Sequence, residues 1–141
     1  MKSYRLLIVT PERQFFDGQA VSASLPATDG YMGILPGHEP AAIALAPGMM
    51  RFSTEEGQEK VCAVSHGFAV VNGGMLRLIV QTAEWPEEID ENRVLEARRQ
   101  AEERVNRHAS MQEYEIARAA IARATARLYV KNRSASINNG E

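Results

Sequence analysis

The three histidines and single cysteine of this 141-residue chain are where nucleophilic or metal chemistry would have to begin. His38 stands beside Glu39, His66 follows Ser65, and His108 lies alone in a charged run. A metal site needs three or four converging donors. These histidines fall on separate stretches, so no metal site is expected. Ser65-His66 are sequence neighbours, but a nucleophile and its base must meet in space with a third, orienting group. Nothing marks that third group. Cys62 sits in the apolar run Val61 to Val64 and reads as a small buried hydrophobe, with no partner for a disulfide. There is no G-x-x-x-x-G-K-[ST] loop and no G-x-G-x-x-G turn ahead of a helix. No acid pair stands out from the solvated carboxylates. The residue types predict a binding platform without catalytic residues.

The elements that would position these residues come in two kinds. All six prolines and nine of the ten glycines lie at or before Pro86, and the tenth glycine is Gly140. Before the break at Trp85-Pro86 the chain can turn every few residues; after it, it can only run straight or bend once. Tyr4 to Val9 reads as a strand, with a turn at Thr10-Pro11-Glu12. Phe15-Phe16 precede Asp17-Gly18, read as another turn. Val21, Ala23 and Leu25 alternate with Ser22 and Ser24, the period of a half-buried strand. Further strands are expected at Tyr31 to Leu35, Met49 to Ser53, Lys60 to Ser65, Phe68 to Val71 and Met75 to Gln81. Asn72-Gly73-Gly74 is the strongest hairpin signal. Short strands with closely spaced turns argue for a sandwich or barrel and against a parallel βαβ sheet.

From Glu87 to Arg133 there is neither glycine nor proline. The pattern predicts two helices. Glu87, Glu88, Asp90 and Glu91 crowd the start of the first, where the helix dipole favours negative charge. Val94, Ala97, Ala101, Val105 and His108 form one narrow stripe on it. Ser110-Met111-Gln112-Glu113 has the form of a capping box that starts the second. There Tyr114, Ala117, Ile121, Ala124 and Leu128 repeat as a coiled-coil seam. A buried methyl contributes about 0.8 kcal/mol against roughly 1.5–3 kcal/mol for Leu or Ile, so this hairpin is weakly held. Two readings follow: a permanent close-packed hairpin, or one that opens. The net charge of −2 gives no broad cationic surface for nucleic acid. The apolar run Leu6 to Val9 is too short to span a membrane, and the chain reads as cytosolic or seated on a membrane complex without insertion.

Asp29-Gly30-Tyr31-Met32-Gly33-Ile34-Leu35-Pro36-Gly37-His38-Glu39-Pro40 is the most specific stretch. With Val9-Thr10-Pro11, Pro47-Gly48-Met49, Ser65-His66-Gly67-Phe68 and the two-helix arm, it resembles the epsilon subunit of bacterial F-type ATP synthases. The resemblance runs from Tyr4 to about Val130. Glu39, Tyr31-Met32 and His66 depart from the residues common in that family. The resemblance implies β + α architecture: a β-sandwich of about ten strands over residues 1–86, an antiparallel helical hairpin over 87–133, and a disordered tail over 134–141. It implies a non-catalytic rotor subunit on the cytoplasmic face of the cell membrane. Its expected partners are the gamma subunit and the c-ring, with alpha and beta when the arm extends to restrain ATP hydrolysis. The rotor-contact loop would hold Tyr31, Met32, His38 and Glu39. No cofactor is required.

Some members of that family bind ATP at the arm as a regulatory ligand. Their Ile/Leu-Asp-x-x-Arg-Ala motif aligns with Ile89-Asp90-Glu91-Asn92-Arg93-Val94, with Val94 in place of Ala. Glu84, Arg123 and Arg127 also match. The resemblance thus implies nucleotide contacts from Glu84, Ile89, Asp90, Arg93, Arg123 and Arg127. The alternative is that Asp90 caps the helix and the arginines are solvated or paired. Other classes remain: a free-standing β-sandwich that binds a small molecule, or a coiled-coil adaptor.

Overall fold

The structure, a computed structural model, describes residues 2–107 and 110–138. Nine strands precede two helices: β1 (Tyr4–Val9), β2 (Gln14–Ala27), β3 (Gly30–Ile34), β4 (Ala41–Leu45), β5 (Gly48–Thr54), β6 (Glu59–Val64), β7 (Gly67–Asn72), β8 (Met75–Val80) and β9 (Ala83–Glu84). A 3-10 turn at Pro86–Glu88 leads to α1 (Glu91–Asn106) and α2 (Met111–Asn138). The strands form one hydrogen-bonded network folded over a common core, in the order β1-β8-β7-β4-β2-β5-β6-β9, with β3 on β2. β2 also pairs with β1 and so serves both layers. Its first half pairs with β1, its second half with β3 and β5, and the register slips between Ala20 and Ser22. All pairings are antiparallel except β1 with β8.

The alternation read in the sequence sets the layers. Leu6, Ile8, Leu25, Met50, Phe52, Cys62, Leu76 and Leu78 point inward and are fully buried. Tyr4 closes one end: its hydroxyl donates to the Ile34 carbonyl oxygen at 2.8 Å, and burial pushes its pKa up to about 12. Asn72-Gly73-Gly74 does turn β7 into β8, with φ of 60° at Gly73 and 76° at Gly74, which favour glycine. Asp17-Gly18 does not turn. It lies inside β2, and the missing side chain of Gly18 leaves room for the Phe16 ring, 2.9 Å from where a Cβ would stand.

The arm folds back on the sandwich. α2 lies on the outward face of β5 and β6, where Met49, Val61 and Ala63 pack with Ile89, Val94, Ala124, Leu128 and Val130. Within the hairpin Val94, Ala101, Ala117, Ala124 and Leu128 are buried as the seam predicts. Ala97 and Tyr114 are exposed, and His108 lies outside the described residues. Glu113 N–H donates to Ser110 Oγ at 3.1 Å, the serine half of the capping box. α2 runs to Asn138, which takes 134–138 out of the expected disordered tail. No glycine or proline lies between Pro86 and Gly140, so no residue there breaks the helix. The rest of that tail, 139–141, is outside the described residues.

Candidate functional site

Sandwich, turn and arm meet around Glu84. β9 pairs with β6 through Ala63↔Glu84, which fixes Glu84 at the end of the sheet. Glu84 Oε1 accepts from Arg127 Nε of α2 at 2.6 Å. One turn on, Lys131 Nζ donates to the Pro86 carbonyl oxygen at 3.0 Å. Asp90 caps α1, accepting from the Arg93 N–H at 3.2 Å. Between these groups opens a cleft of about 260 Å³, lined by Glu84, Glu88, Asp90, Arg93, Val94, Ala97 and Arg127.

Four of the six expected contact residues, Glu84, Asp90, Arg93 and Arg127, share that cleft. Arg123 does not. It lines a shallow recess on the other side of the Glu84–Arg127 pair, with Ser65 and Thr82. Ile89 is 3% exposed and anchors the apolar seam between arm and sandwich. It is not open to a ligand here, because the turn before it aims its side chain at Met49 and Val61. Val94 is also buried in that seam, so its extra methyls relative to alanine are spent on packing. The exposed face of Ala97 explains the gap in the predicted stripe: it forms a wall of the cleft.

Glu88 and Arg13 are the residues that sequence reasoning missed. Arg13, in the β1–β2 loop, donates to Glu88 Oε1 at 2.8 Å and to the Ala83 carbonyl oxygen at 3.2 Å. The Arg13 bond, opposed by partial burial and helped by the Trp85 N–H, holds the Glu88 carboxyl below its ordinary pKa. Glu88 looks in sequence like one more acid at a helix start. Nothing in the sequence links it to a residue 75 positions away.

The cleft holds three carboxylates and two guanidiniums. Two arginines suit phosphate oxygens. Carboxylates suit hydroxyl or amino groups. Arg127 spends its Nε on Glu84, which leaves its Nη donors for an anion in the cleft. Asp90 already occupies an amide donor at the α1 N-terminus. No nucleophile and base are paired in the cleft. Cys62 is fully buried, and desolvation pushes its thiol up to about 12. Among the described residues no three His, Cys, Asp or Glu side chains gather as metal ligands, and no helix is long and apolar enough to cross a membrane.

The expected rotor-contact loop does not form one patch. Tyr31 is 61% exposed and borders an apolar groove with Pro47, Met49, Ala126 and Tyr129, against the arm. Met32 packs partly against the core. His38 and Glu39 are exposed beyond the other end of β3, where His38 Nδ1 lies 2.7 Å from the Glu39 carbonyl oxygen. A separate apolar surface, not expected from sequence, lies on the outward face of β4, β7 and β8. Ala42, Ala44, Phe68, Val70 and Ile79 are exposed there side by side.

The fold is a β-sandwich carrying a two-helix arm, with an ion pair at their junction. Two family models match in succession: "ATP synthase, Delta/Epsilon chain, beta-sandwich domain" over residues 3–86 and "ATP synthase, Delta/Epsilon chain, long alpha-helix domain" over residues 87–132. The chain belongs to the ATP synthase delta/epsilon family. It is 38% identical to the ATP synthase epsilon chain of Ruminiclostridium cellulolyticum over 133 residues, 94% of this chain and 98% of that one. It is 40% identical to the ATP synthase epsilon chain of Clostridium novyi over 106 residues, 75% and 81% of the two chains. Its fold is similar to that of a chain in the Euglena gracilis mitochondrial ATP synthase OSCP/F1/c-ring structure, with TM-score 0.79, 23% identity, and coverage of 88% and 78%. A chain of the Tetrahymena thermophila mitochondrial ATP synthase central stalk and c-ring matches with TM-score 0.59 and 12% identity, covering 90% of this chain and 95% of that one.

Proposed function

We propose that this chain is the epsilon subunit in the central stalk of an F-type ATP synthase, where it couples ion translocation to ATP synthesis without catalysing a step itself. The observation that carries this reading is the pair of family matches, sandwich then long helices, in order and across nearly the whole chain. The exposed strip of Phe68, Val70 and Ile79 supplies a surface for the gamma subunit. His38 and Glu39 lie beyond the far end of β3, where a loop can meet the c-ring. The complex would place the chain peripherally, on the cytoplasmic face of the cell membrane. Tagged chain should retain gamma-type partners on purification; purification without them would sink the reading.

In the same reading the arm restrains ATP hydrolysis when it leaves the sandwich and reaches alpha and beta. ATP in the cleft favours the folded form, with Arg93 and Arg127 on phosphate oxygens. The cleft is slightly smaller than the roughly 300–1,000 Å³ of ordinary ligand pockets, and both members of the Glu84–Arg127 pair line it. A ligand at a hundredfold its Kd stabilises the bound form by about 2.7 kcal/mol. The arm–sandwich seam is a single cluster of eight buried residues, small enough for that to matter. Isothermal titration of the full chain with ATP tests the site directly; a flat titration would remove it.

A further inference from the structure

The break at Trp85-Pro86 looks like the natural pivot for a moving arm, yet the residues around it are tied to the sandwich. Trp85 stacks on Phe15 with ring centroids 4.3 Å apart. Its N–H donates to Glu88 Oε1 at 2.9 Å, and the Glu88 N–H donates back to the Trp85 carbonyl oxygen at 3.0 Å. The turn is thus closed on itself. Arg13 then joins it to the other end of the chain, through Glu88 and the Ala83 carbonyl oxygen, with its guanidinium 5.1 Å from the centre of the Phe15 ring. Arg13 is itself held in a tight loop: its N–H donates to Thr10 Oγ1 at 3.1 Å, and its carbonyl oxygen accepts from the Thr10 N–H at 2.9 Å. By contrast, Ile89 and Asp90 are extended, with ψ of 119° and 104°, between the turn and α1. The links from this region to the arm are reversible ones: Arg127 on Glu84, Lys131 on the Pro86 carbonyl oxygen, and the apolar seam.

We infer that Arg13 is a positioning residue that staples the Trp85–Glu88 turn to the sandwich, so that the arm pivots at Ile89–Asp90 and not at Trp85-Pro86. The inference rests on the mobile arm proposed above and adds where it bends. Its consequence is a split site. Glu84 and Glu88 stay with the sandwich in both states, while Asp90, Arg93 and Arg127 leave with the arm. The cleft then exists only when the arm is folded, and a ligand that bridges its halves reads arm position directly.

The test uses the full chain with spin labels at Glu56→Cys and Glu102→Cys, Cys62 being fully buried. Leu128→Glu puts a charge into the seam and should lengthen the label distance. The Glu88 and Ile89 amides should nevertheless keep their hydrogen-exchange protection within about threefold, because they belong to a turn that does not move. Arg13→Ala should speed exchange at those two amides by roughly three- to tenfold, the range for an exposed ion pair with an added cation–π contact, and Arg13→Lys should recover part of it. If the labels separate but protection at Glu88 and Ile89 collapses with the arm, or if Arg13→Ala leaves it unchanged, the staple is wrong while the moving arm stands. If Leu128→Glu leaves the label distance unchanged, the moving arm fails and the pivot with it.

Discussion

Gly67 opens β7 against the end of β8, and a Cβ there would lie 2.1 Å from the Ile79 carbonyl oxygen. Backbone cannot yield as a side chain tip can, so Gly67→Ala should cost about 3 kcal/mol or more in urea denaturation. Tyr4→Phe removes the donor to the Ile34 carbonyl oxygen and should cost about 1–2 kcal/mol in the same assay. At the candidate site, Arg127→Ala removes the Glu84 clasp and the phosphate contact proposed for it; calorimetry should show ATP affinity reduced about tenfold, the effect of one charge-assisted contact. Glu88 supplies a pH dependence. Its folded-state pKa is depressed by Arg13, with Trp85 N–H assisting and with Arg13 also facing Glu12 and Glu84. A depressed carboxyl adds stability that is complete above its ordinary value of 4.5 and is lost as pH falls through the lower folded value. Exchange at the Glu88 and Ile89 amides, corrected for intrinsic rate, should therefore hold steady from neutrality down to about 4.5, rise as pH falls from there through the lower folded value, and level off below it. Arg13→Ala should flatten the rise.

At the scale of elements, what could be read ahead of the structure followed from local chemistry. β1 begins and ends at the expected residues, Tyr4 and Val9, because a turn signal ends the apolar alternation. The β7–β8 hairpin was legible because glycine is the residue most at ease with its two positive φ angles. Asp17-Gly18 misleads because the same dipeptide can serve a turn or make room for a ring, and which it does depends on where Phe16 points. β4 was not legible: Ala41-Ala42-Ile43-Ala44-Leu45 carries no propensity that separates strand from helix. β9 is two residues long and exists only because β6 is beside it. The helical seam was legible from its period, yet α2 buries a second stripe, with Val130 fully covered, that a two-helix reading does not require. That stripe meets β5 and β6, a long-range fact.

The whole molecule shows the same division for the site. Glu84, Asp90, Arg93 and Arg127 were marked by resemblance and do converge; Ile89 and Arg123 were marked the same way and face elsewhere. Which of them meet depends on how the arm lies on the sandwich, and that packing is written in no local motif. The arm is joined to the sandwich by one apolar seam, one ion pair and one lysine contact. Surface ion pairs contribute at most about 1 kcal/mol, so the seam carries most of what holds the arm on the sandwich. The central claim is that this chain is a rotor subunit whose arm restrains hydrolysis. The most direct measurement is the ATP hydrolysis rate of the assembled complex with the full chain and with the chain ended after Ile89, which keeps the stapled turn. A severalfold higher rate with the shortened chain, still bound to gamma, is the predicted result. An unchanged rate, or a full chain that never joins the complex, would contradict the account.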